Sequence, residues 1–213
     1  MCNHVGANQG LGFETAKALL QSHGPNNKQY HILIGCRDLA KGETAAAELR
    51  KLLPNVTGTA SPVLLDVTSA AQAADAAASV EKEFGRLDVL VNNAGILSQV
   101  PGVVENLRVT LETNLFGAAT ATEAFLPLLL KSEGARLVFV GSSMGSLAGS
   151  GDPQSRYYKA VTGASPLEYR VSKAALNMLM LEYWKRYGVH EGGTLRVFTA
   201  DPGPNATNFI GGE

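Results

Sequence analysis

The chain has 213 residues, 18 Lys and Arg against 19 Asp and Glu, and a formal net charge of −1 at pH 7, with 45% of its residues hydrophobic. That length is one domain's worth, enough to bury a substantial core, and a near-neutral chain without a dense basic run has nothing to track a phosphate backbone or an anionic lipid surface. The longest apolar stretches, around Phe125 to Leu130 and Leu137 to Val140, are far short of the roughly 20 residues that cross a bilayer, so nucleic acid and membrane are set aside as partners.

Met1 to Val5 form a short strand-like start that runs into Gly6-Ala7-Asn8-Gln9-Gly10-Leu11-Gly12. Glycine suits a place where the chain turns tightly and lets a pyrophosphate approach its backbone, and the helix that follows points its N-terminus at the phosphates. Ala16, Leu19 and Leu20 recur at helical spacing before Gly24, consistent with that helix lying on a sheet. By itself a glycine turn is weak evidence of a dinucleotide cradle.

Tyr30 to Cys36 reads as the second strand, and Arg37-Asp38 ends it. An acidic side chain at such a place grips the adenosine ribose of NAD, whereas an arginine suits the 2′-phosphate of NADP. Arg37 therefore points to NADP(H), with Asp38 serving the ribose of NAD(H) as the alternative. Asp38 is also a candidate N-cap for a helix through Leu52. Pro62 to Asp66 reads as strand three; Ala73, Ala77, Val80 and Phe84 mark a helix that Gly85 ends; Asp88 to Asn92 reads as strand four.

A long helix is expected over about Val104 to Leu130, then strand five over Arg136 to Ser142, a Gly- and Ser-rich loop from Gly145 to Asp152, a helix over Ser165 to Tyr187, and strand six over Thr194 to Thr199. Strands alternating with helices throughout predict an α/β fold: a Rossmann-type, doubly wound parallel sheet of about six strands with helices on both faces, the whole chain, 1–213, forming a single NAD(P)-binding domain.

Tyr169 and Lys173 stand four apart in the last helix and so share one face. A tyrosine near pKa 10 moves protons poorly at neutral pH; an adjacent ammonium favours its phenolate and makes it a usable acid and base. Ser142 and Ser143 end strand five, at the sheet edge where such folds bind ligands, and a hydroxyl there can polarise a carbonyl. Gly141-Ser142-Ser143-Met144-Gly145 also fits the Gly-x-Ser-x-Gly elbow of hydrolases, with Ser143 as nucleophile and Asp152 or a neighbour, with His190, to complete a triad. An elbow, however, runs from strand directly into helix, and a loop is expected here.

Cys2 and Cys36 fall in strands without metal-ligand spacing and read as reduced structural thiols. His4, His23, His31 and His190 share no spacing that suits a metal. A secretory signal would need a basic start and an apolar run that the early glycines interrupt, so a cytoplasmic location is expected.

The glycine turn, Asn92-Asn93-Ala94-Gly95, Asn114, Ser142 and Tyr169-x-x-x-Lys173, in that order, closely resemble the short-chain dehydrogenase/reductase family over nearly the whole chain. The resemblance implies an oxidoreductase that moves a hydride between NADP(H) and a carbonyl or secondary alcohol. It assigns catalysis to Asn114, Ser142, Tyr169 and Lys173. Ser142 is preferred to Ser143 because the family serine stands three before a glycine, here Gly145.

By the same resemblance, Gly6, Asn8, Gln9, Gly10, Leu11, Gly12 and Arg37 would line the cofactor's phosphates, Asp66 and Val67 its adenine, and Asn93, Ala94 and Gly95 would close over it. Tyr169 and Lys173 would meet its ribose, and Pro202, Gly203 and Thr207 its nicotinamide side. The long interval from Ser142 to Tyr169, with Tyr157 and Tyr158 inside it, resembles carbonyl-reductase-like members. Relatives pair through two long helices, which implies a homodimer near Asn114 and Trp184. They also carry a fuller first strand and continue past the position of Glu213 through a lid, a helix and a last strand, so a short first strand and an incomplete substrate wall are expected. A catalytically weak relative that binds dinucleotide or a protein partner is the alternative reading, and a serine hydrolase the third.

Overall fold

A parallel strand pair needs a crossover segment between its members, and this chain supplies one between each strand and the next. The computed structural model describes residues 2–5, 7–22, 29–158 and 167–203. The strands are β1 (Cys2–Val5), β2 (His31–Cys36), β3 (Thr59–Leu64), β4 (Val89–Asn92), β5 (Arg136–Val140) and β6 (Arg196–Ala200). The principal helices are α1 (Gly10–Gln21), α2 (Leu39–Leu52), α3 (Ala70–Phe84), α4 (Val103–Leu111), α5 (Ala118–Leu129), α6 (Leu147–Gly151) and α7 (Leu167–Tyr187).

All pairings are parallel, in the order β3-β2-β1-β4-β5-β6. Short as it is, β1 is central: Cys2 is in register with Ile32 on one side and Val89 on the other. The strand order reverses at β1, which opens a crevice beyond its carboxyl end. Right-handed crossovers that run outward in opposite directions must lie on opposite faces. Accordingly Ala16 and Leu20 of α1 and Ala45, Ala46 and Leu49 of α2 cover Ile32 and Ile34. Ala73 and Val80 of α3, Phe125 and Leu129 of α5 and Leu176 and Tyr183 of α7 pack with Leu90, Leu137 and Phe139.

On the α1 face, Leu11, Thr15 and Leu19 border an apolar cavity of about 330 Å³ over Val89, Val91, Val138 and Val140. Among the described residues no helix is long and apolar enough to cross a membrane.

The doubly wound architecture agrees with the expectation; several strand ends differ from it by a residue or two, as at β5 and β6, and the following differences have a physical reason. Strand three starts upstream of Pro62 because β3 is an edge strand, where a residue without an N–H is tolerated. The long helix expected from 104 to 130 is interrupted by a π-helical segment, Glu112–Gly117. The stretch expected as a loop contains a 3-10 turn, Ser143–Gly145, and α6, each started by a serine cap: Ser142 accepts from Met144 N–H and Ser146 from Gly149 N–H.

Candidate active site

The cofactor end begins where β1 feeds α1. Gly10 has φ +58°, in the left-handed region that glycine enters at little cost. Ala7 N–H bonds the Gly35 carbonyl at 3.3 Å, tying the turn to β2, and Gly12 is buried. Gln9 precedes the helix without a side-chain cap, while α2 and α3 are capped by Asp38 and Ser69. An uncapped helix start beside a left-handed glycine offers backbone N–H groups to an anion, so these residues fit a dinucleotide's phosphates. Asn8 is half-buried and Leu11 borders the apolar cavity. Gly6 and Thr207 lie outside the described residues.

Arg37 is exposed after β2, and Asp38 is spent otherwise: its Oδ1 accepts from Ala40 N–H at 3.0 Å and Lys41 N–H at 3.4 Å. Asp66 follows β3 with its Oδ1 accepting from the Thr68 N–H and hydroxyl at 2.9 and 2.8 Å, beside buried Val67. Asn93, Ala94 and Gly95 follow β4, half-buried. Pro202 and Gly203 follow β6 and are exposed. Every described member of the expected set thus lies beyond a strand's carboxyl end or on the helix that follows.

The catalytic candidates converge at the ends of β4, β5 and β6. A π segment widens a helix by one residue per turn and re-aims a side chain; here it carries Asn114, 1% exposed. Asn114 Nδ2 donates to the Ile96 carbonyl and to Ser172 Oγ, both at 3.0 Å, and its Oδ1 accepts from Ile96 N–H at 2.7 Å. Ser172 Oγ in turn donates to the Tyr169 carbonyl at 2.8 Å. The loop after β4, the π segment and α7 are thereby joined into one polar network.

Tyr169 and Lys173 stand one turn apart, Lys173 Nζ lying 5.5 Å from the Tyr169 ring centroid. That Nζ donates to the Val140 carbonyl at 2.7 Å. Burial pulls the ammonium from 10.5 down to about 8, against the opposing effect of Asp201. Burial pushes the Tyr169 phenol up; a hydrogen bond with Ser142 draws it back and the Asp201 charge raises it further. This corrects the expectation that Lys173 lowers it: the ammonium faces the ring and a backbone carbonyl, and desolvation dominates. The phenol therefore keeps its proton at neutral pH.

Gly145 explains the Ser-x-x-Gly spacing. A Cβ there would lie 2.5 Å from Lys173 C and 2.6 Å from Ala174 N, so only glycine lets the turn after Ser142 lie against α7.

The hydrolase triad is not assembled. Ser143 bonds Asp201 through both its N–H and its hydroxyl, and Asp152 accepts from Gln154 N–H. His190, past the end of α7, stacks on Trp184 with centroids 3.5 Å apart, and Trp184 stands about 22 Å along α7 from Tyr169 at 1.5 Å per residue. Among the described residues no cluster of three His, Cys, Asp or Glu could hold a metal. Two residues of the network escaped the sequence reading. Ser172 had a signal, its place between Tyr169 and Lys173; Asp201 precedes Pro202-Gly203, and only the ends of two strands meeting reveal its role.

A family profile described as short chain dehydrogenase matches residues 4–211. The short-chain dehydrogenase/reductase eupG of Phoma sp is 39% identical over 93% of this chain and 74% of that relative. The short-chain dehydrogenase/reductase tropE of Talaromyces stipitatus is 36% identical over 96% of this chain and 78% of its own length. Among solved structures, the Pseudomonas aeruginosa RhlG/NADP active-site complex superposes with TM-score 0.75 at 25% identity, covering 97% of this chain and 72% of that one. Salutaridine reductase from Papaver somniferum shares the fold at TM-score 0.75 and 24% identity, over 99% of this chain and 89% of that one. With its sheet order, its glycine turn and these relatives, the chain belongs to the short-chain dehydrogenase/reductase family of oxidoreductases.

Proposed function

We propose that this chain, as one dinucleotide-binding domain in the cytoplasm, reversibly reduces a carbonyl to a secondary alcohol with NADP(H). The observation that carries the proposal is the Ser142–Tyr169 hydrogen bond, with Lys173 one turn along α7, at the carboxyl ends of the strands. The glycine turn would hold a nicotinamide dinucleotide, which would supply or accept the hydride. Tyr169, protonated at neutral pH, donates its proton to the substrate oxygen, or takes it back in the reverse direction. Ser142 donates a hydrogen bond to that oxygen as negative charge builds on it. Lys173, whose ammonium has three donors and gives one to the Val140 carbonyl, would bind the ribose hydroxyls with the others, and its charge would favour proton release from Tyr169. Asn114 fixes Ile96 and Ser172 and so holds α7 against the loop after β4.

NADP is preferred to NAD because Asp38 is engaged in capping α2, leaving Arg37 as the side chain free to meet a 2′-phosphate bidentately. The RhlG relative, solved as an NADP complex, supports this. Titration of the purified protein with NADPH and NADH, followed by NADPH consumption against a panel of aldehydes and ketones, tests the reading. NADPH is expected to bind more tightly, and Arg37→Ala to lose about tenfold or more for NADPH alone, the order of one charge-assisted contact. Equal affinity for the two cofactors contradicts the NADP assignment, and NADPH binding without turnover of any carbonyl contradicts catalysis.

A homodimer is also proposed. Phe116, Val171, Met178, Leu181 and Trp184 are exposed along the π segment and α7, and a second copy would cover them.

A further inference from the structure

β5 and β6 run side by side to Val140 and Ala200, and the ladder closes on Gly141 N–H bonding the Ala200 carbonyl at 2.9 Å. Beyond that rung the two chains part, one into the turn at Ser142 and the other into Pro202-Gly203. Parting strands leave backbone donors without ladder partners. Asp201 accepts two of them: its Oδ2 takes Ser143 N–H at 2.9 Å together with the Ser143 hydroxyl, and its Oδ1 takes Gly203 N–H at 3.0 Å. A carboxylate alone presents two acceptor oxygens in this fork; an asparagine keeps one and turns a donor toward the other N–H.

We propose that Asp201 is a positioning residue for the reaction, its carboxylate locking the Pro202-Gly203 turn to the Ser142-Ser143 turn so that the nicotinamide side and the substrate-oxygen hydroxyl keep a fixed spacing. The proposal rests on the hydride-transfer reading above. Its charge has a second consequence. The groups bearing on Tyr169 are Lys173 from the same helix, the Ser142 hydroxyl from the end of β5 and Asp201 from the end of β6; the π segment contributes the neutral Asn114, and Arg170 is engaged with Ser150 of α6. Asp201 raises both the phenol and the ammonium, which keeps Tyr169 a proton donor to higher pH. Neutralising Asp201 therefore moves the alkaline limb of carbonyl reduction to lower pH.

Two measurements on the full chain decide it. In the cofactor-free protein the Ser143 and Gly203 amides should exchange hydrogen about tenfold or more faster in Asp201→Ala, and one of the two should do so in Asp201→Asn, with the core amides of β4 and β5 unchanged. With diacetyl as probe and NADPH as reductant, Asp201→Asn should shift the alkaline limb downward, while Asp152→Asn, a carboxylate removed elsewhere, keeps the wild-type limb. Wild-type exchange at both amides in Asp201→Ala, or an unmoved limb in Asp201→Asn, overturns the proposal. Should the wild type leave NADPH unconsumed with diacetyl and with every other carbonyl of the panel, the hydride-transfer reading fails, and the amide exchange still decides the clamp.

Discussion

Lys173 is 4% exposed, and its ammonium is held at about 8 instead of 10.5. That difference, at about 1.4 kcal/mol per pH unit, corresponds to a cost on the order of 3 kcal/mol in the cofactor-free protein. The sign follows from proton counts. Between about pH 8 and 10.5 the unfolded chain holds a proton on this lysine that the folded chain has lost, so stability rises with pH across that window. Lys173→Met removes the charge. It should unfold at a higher temperature than wild type at pH 7 and lack the alkaline gain, as thermal melts from pH 7 to 10 would read; parallel curves for the two proteins would contradict a strained, buried lysine. The same burial that is costly to stability makes the ammonium sensitive to any partner that rehydrates or pairs it.

At the scale of elements, the 3-10 turn after Ser142 and α7 meet through Gly145. Gly145→Ala puts a Cβ 2.5 Å from backbone that cannot yield, so the turn, and Ser142 with it, must move. A loss of about 1–3 kcal/mol is expected from overpacking, with a fall in kcat larger than any change in NADPH affinity. Chemical denaturation and steady-state kinetics together check this; a kcat at the wild-type level would mean that the turn does not position Ser142.

Elements also show what the sequence makes legible. Strand cores such as Ile32 to Cys36 and Val89 to Asn92 read out because burial on both faces demands continuous apolar runs. Asp38 was legible as a cap because capping needs only local geometry. The π segment was not, since its widening serves Asn114's bonds to Ile96 and Ser172, partners distant in sequence. Tyr169 and Lys173 stood out through their spacing together with the glycine turn, Asn93 to Gly95, Asn114 and Ser142 ahead of them in order, whereas the direction of the Tyr169 shift depends on burial by the whole fold, and Asp201's place in the site on two strand ends meeting. α6 was missed because a Gly- and Ser-rich segment reads as loop until its serines are found capping.

For the molecule as a whole, the exposed apolar row on α7 is the most telling surface. Met178 is 56% and Trp184 40% exposed, and Trp184 stacks on His190. Exposed apolar side chains three apart on one helix are the kind of surface that the proposed homodimer would cover. Light scattering should give twice the monomer mass, and Met178→Lys should shift it toward monomer without loss of the cofactor-free fold; a monomer at all concentrations would contradict a homodimer built on this row.

The central claim, that Tyr169 passes the proton in an NADPH-dependent carbonyl reduction, is tested most directly by Tyr169→Phe. With any carbonyl that the wild type reduces, turnover should fall by about 10²–10⁴-fold, the usual worth of a positioned general acid, while NADPH affinity stays near that of the wild type. Turnover at the wild-type rate in Tyr169→Phe would contradict the account.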